Sequence, residues 1–445
     1  MLSTIKLKIN LAEITSTIKL AMFPKNRGKI ALISVHGDPA IEIGKEEAGG
    51  QNVYVRQVGE ALSRQGWQVD MFTRRTSPEQ VKIVEHRLGC RTIRLTAGNQ
   101  EFIARDRLFE YIPEFVNSFL HFQSEENTIY PLIHSNYWLS GQVAKELKKR
   151  QLIRWIHTYH SLGAVKYKSV TTVPLIASTR LQVEKNCLEG SDRTVATSPQ
   201  EKEHMRSLVS KKGNIDIIPC GTDIERFGAT DREEARKYLG IDPQAKIILY
   251  AGRFDRRKGI ETLVRAVAHP ELRHHEKLKL IIVGGSRPGQ KDGKERERIG
   301  KIVEELGIQD CTTFAGRMEH EALSRYYAAA DVCVVPSHYE PFGLVAIEAM
   351  ASSTPVVASN VGGLKFSVVP ESTGLLATAQ DEVAFATAIN RILSNPQWRD
   401  QLGQESRRRV ESNFSWDGVA QQLDDLYISL LSDMYQEFFS TSTVG

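Results

Sequence analysis

Disulfide chemistry has little to work with in this chain. Its 445 residues include five cysteines, Cys90, Cys187, Cys220, Cys311 and Cys333, which are scattered, odd in number and never spaced as C-x2-C. Neither a disulfide scaffold nor a cysteine-bound zinc is expected, and a reducing compartment, the cytoplasm, fits that usage. Long apolar runs are missing as well, since none reaches the roughly 20 residues of a membrane-spanning helix. Charge of one sign is also scarce: 58 basic residues face 54 acidic ones, a net charge of +4. That balance gives no electrostatic case for nucleic acid or a membrane surface as partner. The clusters Arg256–Arg257–Lys258 and Arg407–Arg408–Arg409 are too short to alter it. No D-x-D triplet ends an apolar strand as a metal anchor, so no obligatory divalent metal is implied. The first two dozen residues alternate Ile, Leu and Lys without a cleavage-like site, and a secretory signal is not expected. An added helix, a disordered arm and a start-codon artefact, with Met22 just before the first strand, all remain open for that segment.

What is present is ordinary globular material arranged in a repeated pattern. Hydrophobic residues make up 41% and charged residues 25%, and the length calls for more than one core. The segment Lys29 to Gly37, KIALISVHG, reads as a buried strand. A long loop ending in Gly49-Gly50 and a helical pattern, NVYVRQVGEALSRQG, follow it, then the strand WQVDMFTR. The same order recurs at KIILYAG (Lys246 to Gly252), the loop RFDRRKG, the helix GIETLVRAVAHP and the strand LKLIIVGG. Apolar strands alternating with amphipathic helices predict parallel sheets covered on both faces. Two such openings predict two similar doubly wound domains with ligands at the carboxyl ends of their strands, in the cleft between them. The boundary is expected near Ile215 to Phe227, a strand followed by turn residues.

The segment EPFGLVAIEAM carries two glutamates, Glu340 and Glu348, eight positions apart. Pro341 favours the first position of a helix, which would leave the amides of Phe342, Gly343 and Leu344 without intrahelical partners. Such a start attracts phosphate. Glu348, one turn beyond Leu344, could then accept from ribose hydroxyls, and Glu340 from a sugar attached to the phosphate. Taken alone, the segment also fits an amphipathic helix with two solvated glutamates. Arg253 and Lys258 lie in the loop after the first strand of the second half. There two cations can neutralise a diphosphate leaving group, although salt bridging is the usual fate of such side chains. Arg256 and Arg257 read as solvated.

The E-x7-E spacing, together with AGGQNVYVRQVGEALSRQGWQVDMFTR, IHTYHSLG, GRFDRRKG and VGGL, occurs in the order found in a large family of retaining glycosyltransferases. Over roughly Lys29 to Trp416 the chain resembles that family, which contains sucrose-phosphate synthases, sucrose synthases and glycogen synthases. The resemblance implies an α/β glycosyltransferase-B fold, two Rossmann-like doubly wound domains facing a cleft. An N-terminal extension would occupy residues 1–27. An acceptor-binding domain would span 28–220, a nucleotide-sugar-binding domain 221–414, and a crossover helix 415–445 would return to the first half. By the same resemblance Gly50 faces the donor diphosphate, Gln51 faces the acceptor, and His160 positions a donor hydroxyl. His157 is left with a structural role. Acceptor-phosphate contacts fall to Arg105, Tyr137 and Arg180, with Arg105 standing where the family leads one to expect Lys. The implied reaction takes UDP-glucose and fructose 6-phosphate to sucrose 6-phosphate and UDP, without a required cofactor. GDPAIEIGKEEAGGQNVYV is most like the sucrose-phosphate and sucrose synthase branch, whereas HSNYWLSGQV and HSLGAVK also resemble inositol-phosphate transferases. An inositol-phosphate acceptor, a sucrose synthase-like reaction, a nucleotide-sugar 2-epimerase and a nucleotide-sugar-binding regulatory subunit therefore stay open. So does UDP against ADP or GDP.

Overall fold

A computed structural model describes residues 27–41, 49–169 and 173–442. The expected extension therefore lies outside the described residues except for Arg27, as does Ala48 at the head of the first glycine block. Two sheets organise the chain. The first contains β1 (Gly28–Ile33), β2 (Trp67–Arg74), β3 (Ile83–Arg87), β4 (Cys90–Leu95), β5 (Leu132–Asn136), β6 (Arg154–Thr158), β7 (Arg193–Ala196) and β8 (Ile215–Ile217). Their spatial order is β3-β4-β2-β1-β5-β6-β7-β8, and every pairing is parallel except β3 with β4. The second contains β9 (Lys246–Ala251), β10 (Leu278–Val283), β11 (Thr312–Gly316), β12 (Val332–Val335), β13 (Val356–Ser359) and β14 (Gly374–Ala377). It runs β11-β10-β9-β12-β13-β14, all parallel.

Both sheets are doubly wound, so each reverses direction beside its first strand: between β1 and β5, and between β9 and β12. A crevice opens at the carboxyl ends of the strands at such a point. The strands are continuous apolar runs because helices cover both faces; in β9 every residue after Lys246 is buried. The terminal helix Trp416–Ser442 lies against the helix Gly50–Arg64 of the first half. Trp67 Nε1 donates to Asp424 at 2.7 Å, and the Tyr427 hydroxyl meets His134 Nδ1 at 2.6 Å. One apolar core runs through both halves and this helix, from Leu32 and Val55 to Met350 and Tyr427.

One local expectation fails. Pro341 does not open the helix of the E-x7-E segment; that helix spans Leu344–Ala351, capped by Gly343 at φ 94. A tertiary contact sets the start. Gly363 donates to the Glu340 carbonyl at 3.0 Å, and a Cβ at Gly363 would lie 2.3 Å from the Pro341 carbonyl oxygen. Residues 340–342 thus lie as a bend over Gly362-Gly363, and the left-handed turn into the helix falls to glycine, which alone enters it without strain.

Candidate active site

The crevices of the two halves face each other, and the glycine loops define the contact. Gly50 begins its helix with no side chain, and a Cβ there would sit 3.1 Å from Leu344 Cδ1 at the head of the opposing helix. Two helix N-termini therefore converge on one space, each with amides that have no intrahelical acceptor. Beside Gly50, Gln51 is held by the strand ends: its Nε2 donates to Ser34 Oγ at 3.0 Å and to the Asn136 carbonyl at 3.4 Å.

On the second half, the loop after β9 delivers its cations to this space. Gly259 adopts φ 68, and a Cβ there would lie 1.9 Å from the Pro336 carbonyl, so the two loops touch and Lys258 comes alongside Glu340. Lys258 Nζ meets Glu340 Oε2 at 2.5 Å, with Ser337 Oγ at 3.4 Å from the same oxygen. The expected diphosphate cation and the carboxylate expected to accept from the sugar are thus paired with each other. Arg253 is exposed, and its side chain makes no hydrogen bond or salt bridge among the described residues, although its charge helps hold the Asp255 carboxyl down. Arg257 differs from its expected solvated state: it is half-buried and clamps Asp255 through Nη2 at 2.5 Å and Nε at 3.1 Å. Arg256 is exposed, 3.6 Å from Glu295.

Glu348 sits one helical turn inside the Leu344 start, half-buried, and accepts from the Tyr327 hydroxyl at 2.9 Å. Burial pushes its carboxyl up to about 7, against the opposing pull of that hydrogen bond. A carboxyl so placed ionises only near neutrality, and such perturbed groups concentrate in functional clefts.

The three expected acceptor residues do come together, around Tyr137. This tyrosine follows β5 with φ 76, and the guanidinium groups of Arg180 and Arg105 lie 5.0 Å and 5.9 Å from its ring centre. Arg105 is exposed. Arg180 is not a free cation: its side chain is 3% exposed, its Nε donates to Glu184 at 2.7 Å, and its Nη2 donates to the Ser161 carbonyl. Glu184 also accepts from the Gly163 amide through both oxygens, at 2.9 Å. The i,i+4 spacing of Arg180 and Glu184 on one helix was a visible signal of that pair.

Two members of this cluster escaped the sequence reading. Lys166 is half-buried, and burial followed by the positive charges of Arg180, Arg105 and Arg257 brings its ammonium down to about 8. His36 lies tilted against Tyr137, ring centres 4.6 Å apart, and is kept neutral by burial, then by Arg105, His160 and Arg180. The signal for Lys166 was its place in HSLGAVK, six residues after His160; that for His36 was its place after β1.

His160 and His157 separate as their neighbourhoods differ. His157 is fully buried with Nδ1 2.8 Å from Ser135 Oγ, a core histidine. His160 lies two residues beyond β6 at φ 59, half-buried, with Nε2 2.8 Å from Asn136 Oδ1 and its ring 4.8 Å from Tyr54. Burial lowers its pKa to about 3, so the imidazole is neutral at pH 7. Among the described residues no group of three or more His, Cys, Asp or Glu could hold a metal ion, and no helix is long and apolar enough to cross a membrane.

Two doubly wound halves with paired helix starts, cations and carboxylates across one cleft define a glycosyltransferase of the glycosyltransferase-B fold. The sequence profile described as Glycosyl transferase 4-like domain matches residues 49–221, and Glycosyl transferases group 1 matches residues 231–409. The D-inositol 3-phosphate glycosyltransferase of Corynebacterium jeikeium is 38% identical over 408 residues, 90% of this chain and 97% of that protein. The solved sucrose-phosphate synthase of Thermosynechococcus elongatus is 51% identical, covers 91% of this chain and 99% of its own, and superposes with a TM-score of 0.83. Anabaena HepE, solved with UDP-glucose, shares the fold at 18% identity and a TM-score of 0.70, over 90% of this chain and 99% of its own. The chain belongs to the E-x7-E glycosyltransferase family that includes the sucrose-phosphate synthases.

Proposed function

We propose that this protein is a sucrose-phosphate synthase, transferring glucose from UDP-glucose to fructose 6-phosphate with retention at the anomeric carbon. The observation that carries the reading is the 51% identity to a sucrose-phosphate synthase along 91% of the chain. The cation–tyrosine cluster of Arg105, Tyr137, Lys166 and Arg180 supports a phosphorylated acceptor, because a dianion needs several charge-assisted donors.

In this reading Arg253 and Lys258 meet the diphosphate, and the helix starts at Gly50 and Leu344 add amides, with Phe342 and Gly343 shaping the approach. Glu348 holds the ribose. The incoming diphosphate takes Lys258 from Glu340 and frees that carboxylate for the hydroxyls of glucose. His160 accepts or donates a hydrogen bond at another hydroxyl, and Gln51 faces the acceptor. The C1–O bond to the diphosphate breaks as the acceptor hydroxyl oxygen bonds C1 from the same face. The acceptor's proton passes to the leaving phosphate oxygen. The protein supplies position and charge. No required cofactor enters this scheme, and the domain assignment given above accompanies it, acceptor in the first half and nucleotide in the second.

A second reading has its own observation. Relatives such as the Corynebacterium jeikeium protein, 38% identical, are D-inositol 3-phosphate glycosyltransferases. UDP release from UDP-glucose in the presence of fructose 6-phosphate, free fructose or inositol phosphate separates them. Release with fructose 6-phosphate alone is the expected result. Release with inositol phosphate alone moves the assignment to the second reading, and release with free fructose alone points to a sucrose synthase-like enzyme.

A further inference from the structure

Asn136 ends β5 and caps the helix Tyr137–Lys148, yet its side chain makes no capping bond. Asparagine is favoured at that place because its oxygen accepts from the amides of the first turn. Here the side chain points elsewhere. Its Nδ2 donates to the His134 carbonyl at 3.3 Å, and its Oδ1 lies 2.8 Å from His160 Nε2. Its own carbonyl accepts from Gln51 Nε2. Asn136 pairs with Thr158 across the parallel strands, so the bridge joins the carboxyl ends of β5 and β6 at the crevice. Tyr137 and His160, on either side of the bridge, are both left-handed, at φ 76 and φ 59. Non-glycine residues hold that conformation only where their surroundings impose it, and such residues gather at functional sites.

We propose that Asn136 is a positioning residue for glycosyl transfer, holding His160 as the Nε2–H tautomer so that Nδ1 offers its lone pair to a sugar hydroxyl. The inference rests on the transferase reading above. With Nδ2 committed to the His134 carbonyl, Oδ1 can only accept, and His160 Nε2 must carry the proton. The groups facing this ring leave it neutral: Tyr54 from the helix Gly50–Arg64, His36 after β1, His134 from β5 and His157 from β6. The three histidines are themselves kept uncharged, chiefly by burial. The same residue, through its backbone carbonyl, holds Gln51 and so aligns the two side chains flanking the reacting atoms.

Asn136→Asp keeps the shape but places a carboxylate against His160 Nε2–H and stabilises the imidazolium. Its kcat should fall as pH is lowered through the raised histidine pKa, by about tenfold per unit, over a range where the wild type is flat. Asn136→Ala should lower kcat by about ten- to a hundredfold, with a smaller change in donor KM. Nitrogen-15 NMR of the ligand-free wild type should show His160 protonated on Nε2, the signal being assigned by its loss in His160→Gln. A His160 protonated on Nδ1 would overturn the proposal. So would an Asn136→Asp variant with the wild-type pH profile together with an Asn136→Ala variant within about twofold of the wild-type kcat. If no donor and acceptor pair is turned over, the transferase reading fails and takes this role with it. The NMR signal still reports the bridge, so the two failures are read separately.

Discussion

In the proposed assignment, Glu348 couples donor binding to protonation. Its carboxyl is raised from 4.5 to about 7 by burial, so the folded protein holds a proton that the unfolded chain releases. The stability linked to that proton is complete below about 4.5 and is lost as pH rises through about 7. The melting temperature of Glu348→Gln should therefore fall less than that of the wild type across this interval; parallel curves would remove Glu348 as the source. Nucleotide affinity should drop by about tenfold in the variant, since a charge-assisted hydrogen bond to ribose is replaced by a neutral one. Unchanged binding by calorimetry would take Glu348 out of the site. Lys258 behaves differently. Its pair with Glu340 is partly buried, with side-chain exposures of 28% and 13%, so desolvation offsets much of the attraction and the net contribution to folding is on the order of 1 kcal/mol. Lys258→Ala should barely move the melting temperature while lowering kcat by about a hundredfold, as the charge growing on the diphosphate loses a counter-charge. A variant with normal turnover ends that assignment. Arg180 is the residue where function and fold cannot be separated by alanine. Removing it strands Glu184, whose side chain is fully buried, at about 3–5 kcal/mol. Arg105→Ala is the cleaner probe of the acceptor phosphate, because Arg105 is exposed. It should raise the KM for fructose 6-phosphate and narrow its advantage over free fructose, with the KM for UDP-glucose nearly unchanged. An undiminished advantage would place the phosphate elsewhere.

At the scale of elements, the strands and glycine loops of both crevices were legible because parallel strands advertise themselves as unbroken apolar runs ended by glycine. KIALI and KIILYA needed no alignment to be read. Gly50, Arg253 and Lys258 sit in loops or at a helix start fed by such a strand, which is why their positions were accessible from the order of elements. The start of the 344–351 helix was not. Pro341 is a good first helical residue on local grounds, but Gly363 donating to the Glu340 carbonyl pulls residues 340–342 into a bend. A contact between Gly363 and Glu340, distant in the chain, overrode local preference, and no local rule carries that information. Lys166 and His36 escaped for a related reason, since only the assembled fold brings His36 onto Tyr137 and Lys166 beside Arg105 and Arg180. The bend also yields a prediction. A methyl at Gly363 would meet backbone, 2.3 Å from the Pro341 carbonyl oxygen and 2.5 Å from Phe342 Cα, with no flexible side chain to yield. Gly363→Ala should displace Glu340 and the head of the helix, weakening UDP binding and lowering the melting temperature together. A variant that binds UDP normally would show that the bend does not organise the donor site.

At the scale of the whole molecule, the proposed assignment divides the reacting groups between two sheets, so turnover would depend on how the halves are held. Two strands of chain cross between them side by side: Thr222 bridges to Ser415, and its amide donates to the Phe414 carbonyl at 2.7 Å. Trp416 wedges this crossing. A Cβ on Gly221 would lie 2.7 Å from its ring, and the ring meets Tyr54 edge-on at 5.9 Å, the same Tyr54 whose ring contacts His160 at 4.8 Å. A chain of edge-on ring contacts thus runs from the crossing to the first-half side of the cleft, while Lys258 and Glu348 stand in the other half and take no part in it. Trp416→Phe keeps an aromatic ring but shortens the wedge, at a packing cost of about 1–3 kcal/mol. The nucleotide contacts remain whole, so the dissociation constant for UDP should stay at the wild-type value. The alignment of the two halves should loosen, and kcat should fall by about tenfold, because a small misplacement of reacting groups is expensive. Calorimetry with UDP and initial rates at saturating donor measure the two quantities on the same sample. Equal losses of affinity and rate would mean that Trp416 supports the second half generally, and an unchanged rate would mean that the crossing does not set the alignment.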